Sequence, residues 1–304
     1  MKNRFPDSIT TNGRNGNTHL PAHAAPTHEV AFGYPRDFLE NKFVYLVISP
    51  RANGLSIGLN LNPIVKCNLN CLYCEVDRTQ AAQDPDFDLQ RMVVELGETL
   101  ELAQGGWLRQ WPRYAKLPAQ LMEVRHVALS GDGEPTLSGN FVEATRAVVR
   151  LRQTGRSFKI VLVTNSTALD RPQVQEGLAL LAPQDEVWAK LDAGTQDYSN
   201  RINGSTISLE RILNNILLVG RQRPVVIQSL FPAIDGEDPP ASEIAEYAQR
   251  LKELKAAGAE ISLVQIYSAT RPMAKSGCSH LPLKTLSGIA KTVRRVAGLR
   301  AEIF

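Results

Sequence analysis

No stretch of this chain approaches the roughly 20 consecutive apolar residues that a membrane-spanning helix needs. The segment Met1 to Thr27 holds no apolar core of the kind a secretory signal carries. The two absences predict a cytoplasmic protein with no membrane contact. Cysteine is scarce, with 4 in 304 residues, which excludes a disulfide-knit scaffold. Charge of one sign is scarce as well. A net charge of +3 permits an acidic partner such as RNA without arguing for one.

What is present is ordinary for a globular protein: 43% hydrophobic and 21% charged residues, in a chain long enough for one large domain or two small ones. Residues 1–30 are rich in Asn, Thr, Pro, Gly and His and are expected to form a disordered tail. His19, His23 and His28 fall in or beside it and read as solvated side chains rather than metal ligands. The remainder, 31–304, is expected to be a single core domain that opens with a hairpin. Its first strand is Phe43-Val-Tyr-Leu-Val-Ile48 and its second Leu55-Ser-Ile-Gly-Leu-Asn60, with Pro50 and Asn53-Gly54 between them.

From Leu55 onward, strand-like and helix-like segments alternate. Candidate strands are 55–61, 124–130, 158–164, 186–192, 224–230 and 261–267. Each is nearly continuous in Val, Ile or Leu, as suits parallel strands covered on both faces. Helical segments are expected near 87–104, 140–154, 170–182, 208–221, 241–257 and 283–297. Asp170 before Arg171-Pro172 and Ser208 before Leu-Glu-Arg read as start signals, and Gly155, Gly258 and Gly298 as stops. Six βα units in succession argue for an α/β fold with a parallel sheet, either open and doubly wound or a partial barrel. In both, the active site lies at the C-terminal ends of the strands. The stretch Gln104 to Gln120 interrupts the alternation. Its interleaved Trp107, Arg109, Trp111, Arg113, Tyr114 and Lys116 suit either a nucleic-acid contact or, better, an irregular cover packed on the body.

Three of the four cysteines fall in Ile64-Val-Lys-Cys67-Asn-Leu-Asn-Cys71-Leu-Tyr-Cys74, directly after the first strand of the series. Clustered thiols in a reducing compartment read as metal ligands or redox groups. A [4Fe-4S] cube takes one ligand per iron, so three cysteines leave one iron open, and an open position marks a working site. Two bland readings compete. Cysteines at i, i+4 and i+7 could share a buried helix face, but Asn68, Asn70 and Pro63 argue against a helix here. A structural zinc would want a fourth protein ligand.

Cys-x3-Cys-x2-Cys after the first strand, with Tyr73 just before the last cysteine, resembles the signature of the radical S-adenosylmethionine (SAM) superfamily. The resemblance extends from Leu55 to the end of the chain. It implies a partial (β/α)6 barrel of parallel strands and a [4Fe-4S] cluster on Cys67, Cys71 and Cys74. It further implies that SAM chelates the open iron and is cleaved reductively, and that the 5′-deoxyadenosyl radical takes a hydrogen atom from the substrate. An electron donor such as flavodoxin or ferredoxin is implied with it. Ser130-Gly131-Asp132-Gly133-Glu134-Pro-Thr136 is similar to the family's Gly-Gly-Glu element, which lines the methionyl amine. The extra acid leaves open whether Asp132 or Glu134 faces that amine. Thr164-Asn165 and Lys190-Leu-Asp192 fall where the family contacts the SAM ribose and carboxylate. Lys190 and Asp192, two apart on a strand, share a face and could instead be a structural pair. Gln228 is the candidate for adenine. Tyr267 and Arg271 are candidates for substrate contact at the mouth.

The words around these motifs are similar to the branch of the family that contains the wyosine-type tRNA base synthases, but the additional cysteines of those synthases are missing. Cys278, far along the chain beside His280, is expected not to be a cluster ligand. Three functions stand: a radical SAM enzyme acting on RNA or polypeptide, one acting on a small metabolite beneath a lid formed by Trp107–Lys116 or the N-terminal tail, and a non-enzymatic iron–sulfur or zinc protein.

Overall fold

The computed structural model of the chain describes residues 38–62, 66–76, 87–269, 273 and 276–304. The expectations for the N-terminal tail, its histidines and Arg271 lie outside these residues.

The hairpin forms as its turn residues dictate. Strand β1 (Val44–Ser49) runs antiparallel to β2 (Gly54–Leu59), with Asn53 at φ 52° in the turn. Helix α1 (Leu89–Gln104) begins at Asp88, whose carboxylate accepts from the Arg91 backbone N–H at 3.0 Å. A single-turn helix α2 (Pro112–Ala115), flanked by short 3-10 turns, then leads to β3 (Val124–Leu129). The alternation continues through α3 (Phe141–Gln153), β4 (Lys159–Thr164), α4 (Pro172–Ala179), β5 (Glu186–Lys190), α5 (Gln196–Asn203), α6 (Leu209–Gly220) and β6 (Val225–Leu230). After these come β7 (Ala233–Ile234), α7 (Ala241–Ala256), β8 (Ile261–Tyr267), β9 (Cys278–Ser279), α8 (Leu283–Ala297) and β10 (Ala301–Ile303).

One sheet takes the order β1-β2-β3-β4-β5-β6-β8-β10, and β7 pairs with β9 in a separate two-stranded ribbon. From β2 onward every pairing in the large sheet is parallel. The sheet is curled into a half-barrel. Arg51, in the turn at one edge, sets its guanidinium carbon 4.3 Å from the ring centre of Tyr267 at the end of β8, near the other edge. The six expected parallel strands are all present, with β1 and β10 added outside them.

Strand residues alternate between the two faces. Leu55, Ile57 and Leu59 of β2, with their counterparts Val127, Leu129, Ile160 and Leu162, pack outward against the helices. The opposite face lines the lumen. There Val161, Trp188 and Val226 make an apolar floor, and His126 sits edge-on to Trp188 at 5.3 Å, bonded to Ser56 at 2.8 Å. Nearer the strand ends the lumen turns polar, with Lys190, Gln228, Gln265 and Tyr267.

Two start signals work differently from expectation. Asp170 is not the cap of α4; Arg171 takes that place and Pro172 the first turn. Ser208 does sit at the start of α6, but Gln196 of the preceding helix accepts the Leu209 N–H at 2.6 Å instead. The Trp107–Lys116 stretch is a cover packed on the body. Leu108 and Tyr114 are buried and Trp111 lies 6.4 Å from Phe38, while Trp107 is 42% exposed. It joins the end of α1 to the start of β3, at the N-terminal ends of the strands. It therefore lies at the far end from the mouth and is no lid, correcting that part of the small-metabolite expectation.

Candidate functional site

The cysteine loop leaves the end of β2 and is not helical, which removes the shared-helix-face reading of Cys67, Cys71 and Cys74. Its path is held by α5, an element the sequence patterning did not reveal. The Asn70 and Leu72 N–H groups donate to the Asn203 and Ile202 carbonyls at 2.8 and 2.9 Å. The Cys71 thiol points at Asn203 Oδ1 at 3.6 Å. These carbonyls belong to the last turn of α5, where helix acceptors lack intrahelical partners. Gly204 ends the helix at φ 53°, and a Cβ there would meet the Asn70 carbonyl at 2.4 Å. Leu72 and Tyr73 pack beside Ala193, Tyr198, Ile202 and Ile234, so the loop has an apolar footing too.

On its other flank the loop meets the end of β4. Asn165 Nδ2 donates to Asn68 Oδ1 at 2.9 Å and lies 3.7 Å from Cys67 Sγ. Asn68 in turn donates to Thr167 at 2.8 Å. None of the three is in a disulfide, and all are partly exposed. Burial, then the charge of Asp192, pushes the Cys71 thiol up to about 12; only metal binding would make it a thiolate here. Cys278 lies on β9, paired with Ile234, and its sulfur is 3.0 Å from Met273 Sδ.

The loop after β3 tucks beneath the cysteine loop. Its Glu134 N–H donates to the Lys66 carbonyl at 2.9 Å. Gly133 is required by that approach, since a Cβ there would come within 2.4 Å of the same carbonyl; Gly131, at φ 152°, would strike Asn60. The two acids of this loop differ sharply. Glu134 is buried and both oxygens of its carboxylate are engaged by the chain. Oε1 accepts from Thr136 Oγ1 and Thr164 Oγ1, both at 2.6 Å, and Oε2 from the Asn165 N–H at 2.7 Å. Burial raises its pKa, while these donors pull the other way. Glu134 thus stitches the ends of β3 and β4 together. Asp132 is only half-buried and receives the Asn60 side-chain amide.

Lys190 ends β5 and Asp192 lies two residues beyond it; the two form an ion pair at 3.0 Å, as their spacing predicts. Asp192 is also tied to the cysteine loop. Its Oδ1 accepts the Leu230 N–H at 2.8 Å and its Oδ2 the Tyr73 hydroxyl. Burial, then Asp192, holds the Tyr73 phenol well above its ordinary pKa. Lys190 Nζ donates to Tyr267 at 3.0 Å and lies 4.8 Å from the Tyr73 ring centre. Burial disfavours its charge, but Asp192 and Tyr267 outweigh that and its pKa is raised above the ordinary lysine value. Gln228 is buried deeper and donates to Gln265 at 2.8 Å. The residues singled out in the sequence that fall among the described ones therefore gather toward one end of the half-barrel.

The sequence reading missed Asn60, Asn62, Asn68 and Asn203. The run of asparagines around the cysteines was the available signal: short amides suit a loop whose backbone must be pinned from the side. Arg51 carried no signal at all.

The family model for the radical SAM superfamily matches residues 61–251. The UPF0026 protein slr1464 of Synechocystis sp. is 33% identical over 177 residues, which are 57% of this chain and 57% of that protein; the chain thus spans little more than half of this relative. Among solved structures, TYW1 with a lysine-pyruvate adduct bound is similar at 20% identity and a TM-score of 0.50, covering 80% of this chain and 74% of that one. SuiB of Streptococcus suis, bound to the precursor peptide SuiA, is similar at 14% identity and a TM-score of 0.55, covering 79% of this chain and 47% of that one.

Proposed function

The chain belongs to the radical SAM superfamily, and from that premise we propose that it cleaves S-adenosylmethionine reductively at a [4Fe-4S] cluster held by Cys67, Cys71 and Cys74. The observation that carries the reading is the cysteine loop itself. Three thiols, none in a disulfide, stand at the C-terminal end of the first parallel strand, on a backbone pinned by α5 and β4. The donor set fits. Three thiols within eight residues, none of them in a disulfide, are the ligand type that an iron–sulfur cluster takes. When bound, the cluster and SAM together supply the 5′-deoxyadenosyl radical that abstracts a substrate hydrogen atom.

The chain's own part is to bind, orient and exclude. We assign the SAM amine to Asp132 rather than Glu134, because Glu134 is buried and both of its carboxylate oxygens already accept from Thr136, Thr164 or Asn165, whereas Asp132 is half-exposed. Thr164 is buried in the same bonds, so Asn165 is the better placed of that pair to meet SAM. Asp192 keeps Tyr73, and with it the loop between Cys71 and Cys74, in one position against β5. Lys190 remains a cation beside them. Gln228, engaged with Gln265, is a less apt partner for adenine. A flavodoxin or ferredoxin would supply the electron.

RNA or polypeptide is the substrate class we favour, since the Trp107–Lys116 cover stands at the far end of the barrel. The solved SuiB complex, with a peptide bound on a similar fold, makes polypeptide the first class to test. Anaerobic reconstitution with iron and sulfide, then reduction with SAM, should yield 5′-deoxyadenosine. Changing Cys67, Cys71 or Cys74 to Ala should abolish both the brown absorption and the product; an intact active cluster in any of the three sinks the assignment.

A further inference from the structure

Arg51 is out of keeping with its surroundings. It projects from the β1–β2 turn across the open side of the half-barrel and stacks its guanidinium on Tyr267. A guanidinium carries five N–H donors. Yet Arg51 makes no ion pair with any carboxylate of the described residues, and its Nε is buried with no hydrogen-bond partner. Buried donors are almost always satisfied, so an orphan of this kind calls for an absent acceptor.

The charges around it are otherwise balanced. Lys190 has Asp192 at 3.0 Å, and Lys159 has Glu186 at 2.6 Å. Arg125, on the neighbouring strand, has Glu123 at 2.9 Å. His126, the other basic group facing this space, is kept neutral by burial, which lowers its pKa to about 4. Among the described residues one positive charge is left over at the open side of the lumen, and it belongs to Arg51. Tyr267 cannot swing away from it easily, because its hydroxyl is held by Lys190. An arginine stacked on a fixed ring presents its N–H edge sideways, the geometry that receives a carboxylate through two parallel bonds.

We propose that Arg51 and Tyr267 form a subsite for a carboxylate group of the substrate. The proposal rests on the enzyme reading above and deepens it. A carboxylate, with one negative charge, matches the single unbalanced cation; a phosphate dianion would overshoot it. From this subsite a continuous chain of contacts, Tyr267 to Lys190 to Asp192 to Tyr73, leads to the cysteine loop. A substrate anchored at Arg51 would extend along that line toward the cluster, as an acidic side chain or a chain terminus of a polypeptide could.

The test is a thermal melt of the reconstituted protein titrated with sodium acetate, with sodium chloride at equal ionic strength as the blank and inorganic phosphate as a second arm. Acetate should raise the melting temperature of the wild type. Arg51→Gln should weaken the acetate response about tenfold or more, the loss expected when a charge-assisted pair is removed. Arg51→Lys, which keeps the charge but not the fork, should fall between. Arg156→Gln removes a cation from the separate basic groove of about 610 Å³ at the N-terminal ends of β3 and β4 and should respond like wild type. A wild type indifferent to acetate, an equal response in Arg51→Gln, a response lost in Arg156→Gln, or phosphate acting more strongly than acetate would each overturn the subsite. Assay of 5′-deoxyadenosine on the same wild-type preparation separates the two levels. Product without an acetate response removes the subsite alone; an acetate response without product removes the enzyme reading and, with it, the subsite's meaning.

Discussion

Replacing His126 by Gln probes how dry the barrel floor is. The imidazole is buried against Trp188 and Ser56, and burial dominates its titration, lowering the pKa from 6.5 to about 4 against a smaller opposing pull from Glu186. Unfolding frees the ring to bind a proton that the folded chain refuses, so acid favours the unfolded state. The contribution is whole above pH 6.5 and is lost as pH falls from there toward 4. Each tenfold drop in proton affinity on folding is worth about 1.4 kcal/mol, so the loss is about 2 kcal/mol by pH 5 and saturates near 3 kcal/mol. Gln keeps a hydrogen-bonding partner for Ser56 and cannot titrate. Urea unfolding of both proteins at about pH 7.5 and about pH 5, under argon, should therefore show the wild type losing about 2 kcal/mol more than the variant between the two conditions. Comparing the pair under identical conditions cancels the acid sensitivity of any bound cluster. NMR of ring-labelled histidine gives an independent check. An imidazole at position 126 that titrates at its ordinary value, or a wild type whose acid loss equals the variant's, would refute the dry-floor argument.

Three further outcomes are expected. Glu134→Gln should cost about 1.5–3 kcal/mol in stability by unmaking a charge-assisted bond to Thr164 or Asn165, while SAM affinity in protein that still carries its cluster should fall less than in Asp132→Asn; calorimetry giving the reverse order would return the amine to Glu134. Gly133→Ala should lower the iron retained per chain after reconstitution, because the new Cβ would press on the Lys66 carbonyl at the foot of the cysteine loop; Gly97→Ala, in open space on α1, should leave iron unchanged, and equal loading of the two would show that the approach is not tight. Cys278→Ala should hold the same iron and sulfide per chain as wild type. Loss of a whole cluster's worth would instead reveal an auxiliary cluster.

Much of the frame was legible because it rests on local patterning. The six parallel strands fall within a residue or two of their apolar runs, and α8 coincides with its expected span. What escaped was written in weak local signals. Helix α5 is Gln-Asp-Tyr-Ser-Asn-Arg-Ile-Asn, mostly poor helix formers, and it forms because Thr195 caps it and the cysteine loop leans on its end. Strand β10 is three residues long and exists by pairing with β8. In the site, the Lys190–Asp192 pair follows from strand alternation alone. The role of Glu134 does not, since its carboxylate draws partners from two loops at once. The meeting of Arg51 with Tyr267 joins opposite ends of the strand order, and only the curl of the sheet creates it.

The docking of the cysteine loop on the last turn of α5 bears on how iron enters. Ordering a free segment costs about 1–2 kcal/mol per residue. In zinc fingers that cost falls on the metal, so metal removal and unfolding are one event. Here Asn70 and Leu72 are already fixed by the Asn203 and Ile202 carbonyls, and Asn68 by Asn165. The protein's own hydrogen bonds thus meet part of the cost of ordering this loop, independently of a metal. Iron extraction by a chelator should accordingly leave the barrel standing, and reloading should be a matter of diffusion and ligand exchange rather than of refolding.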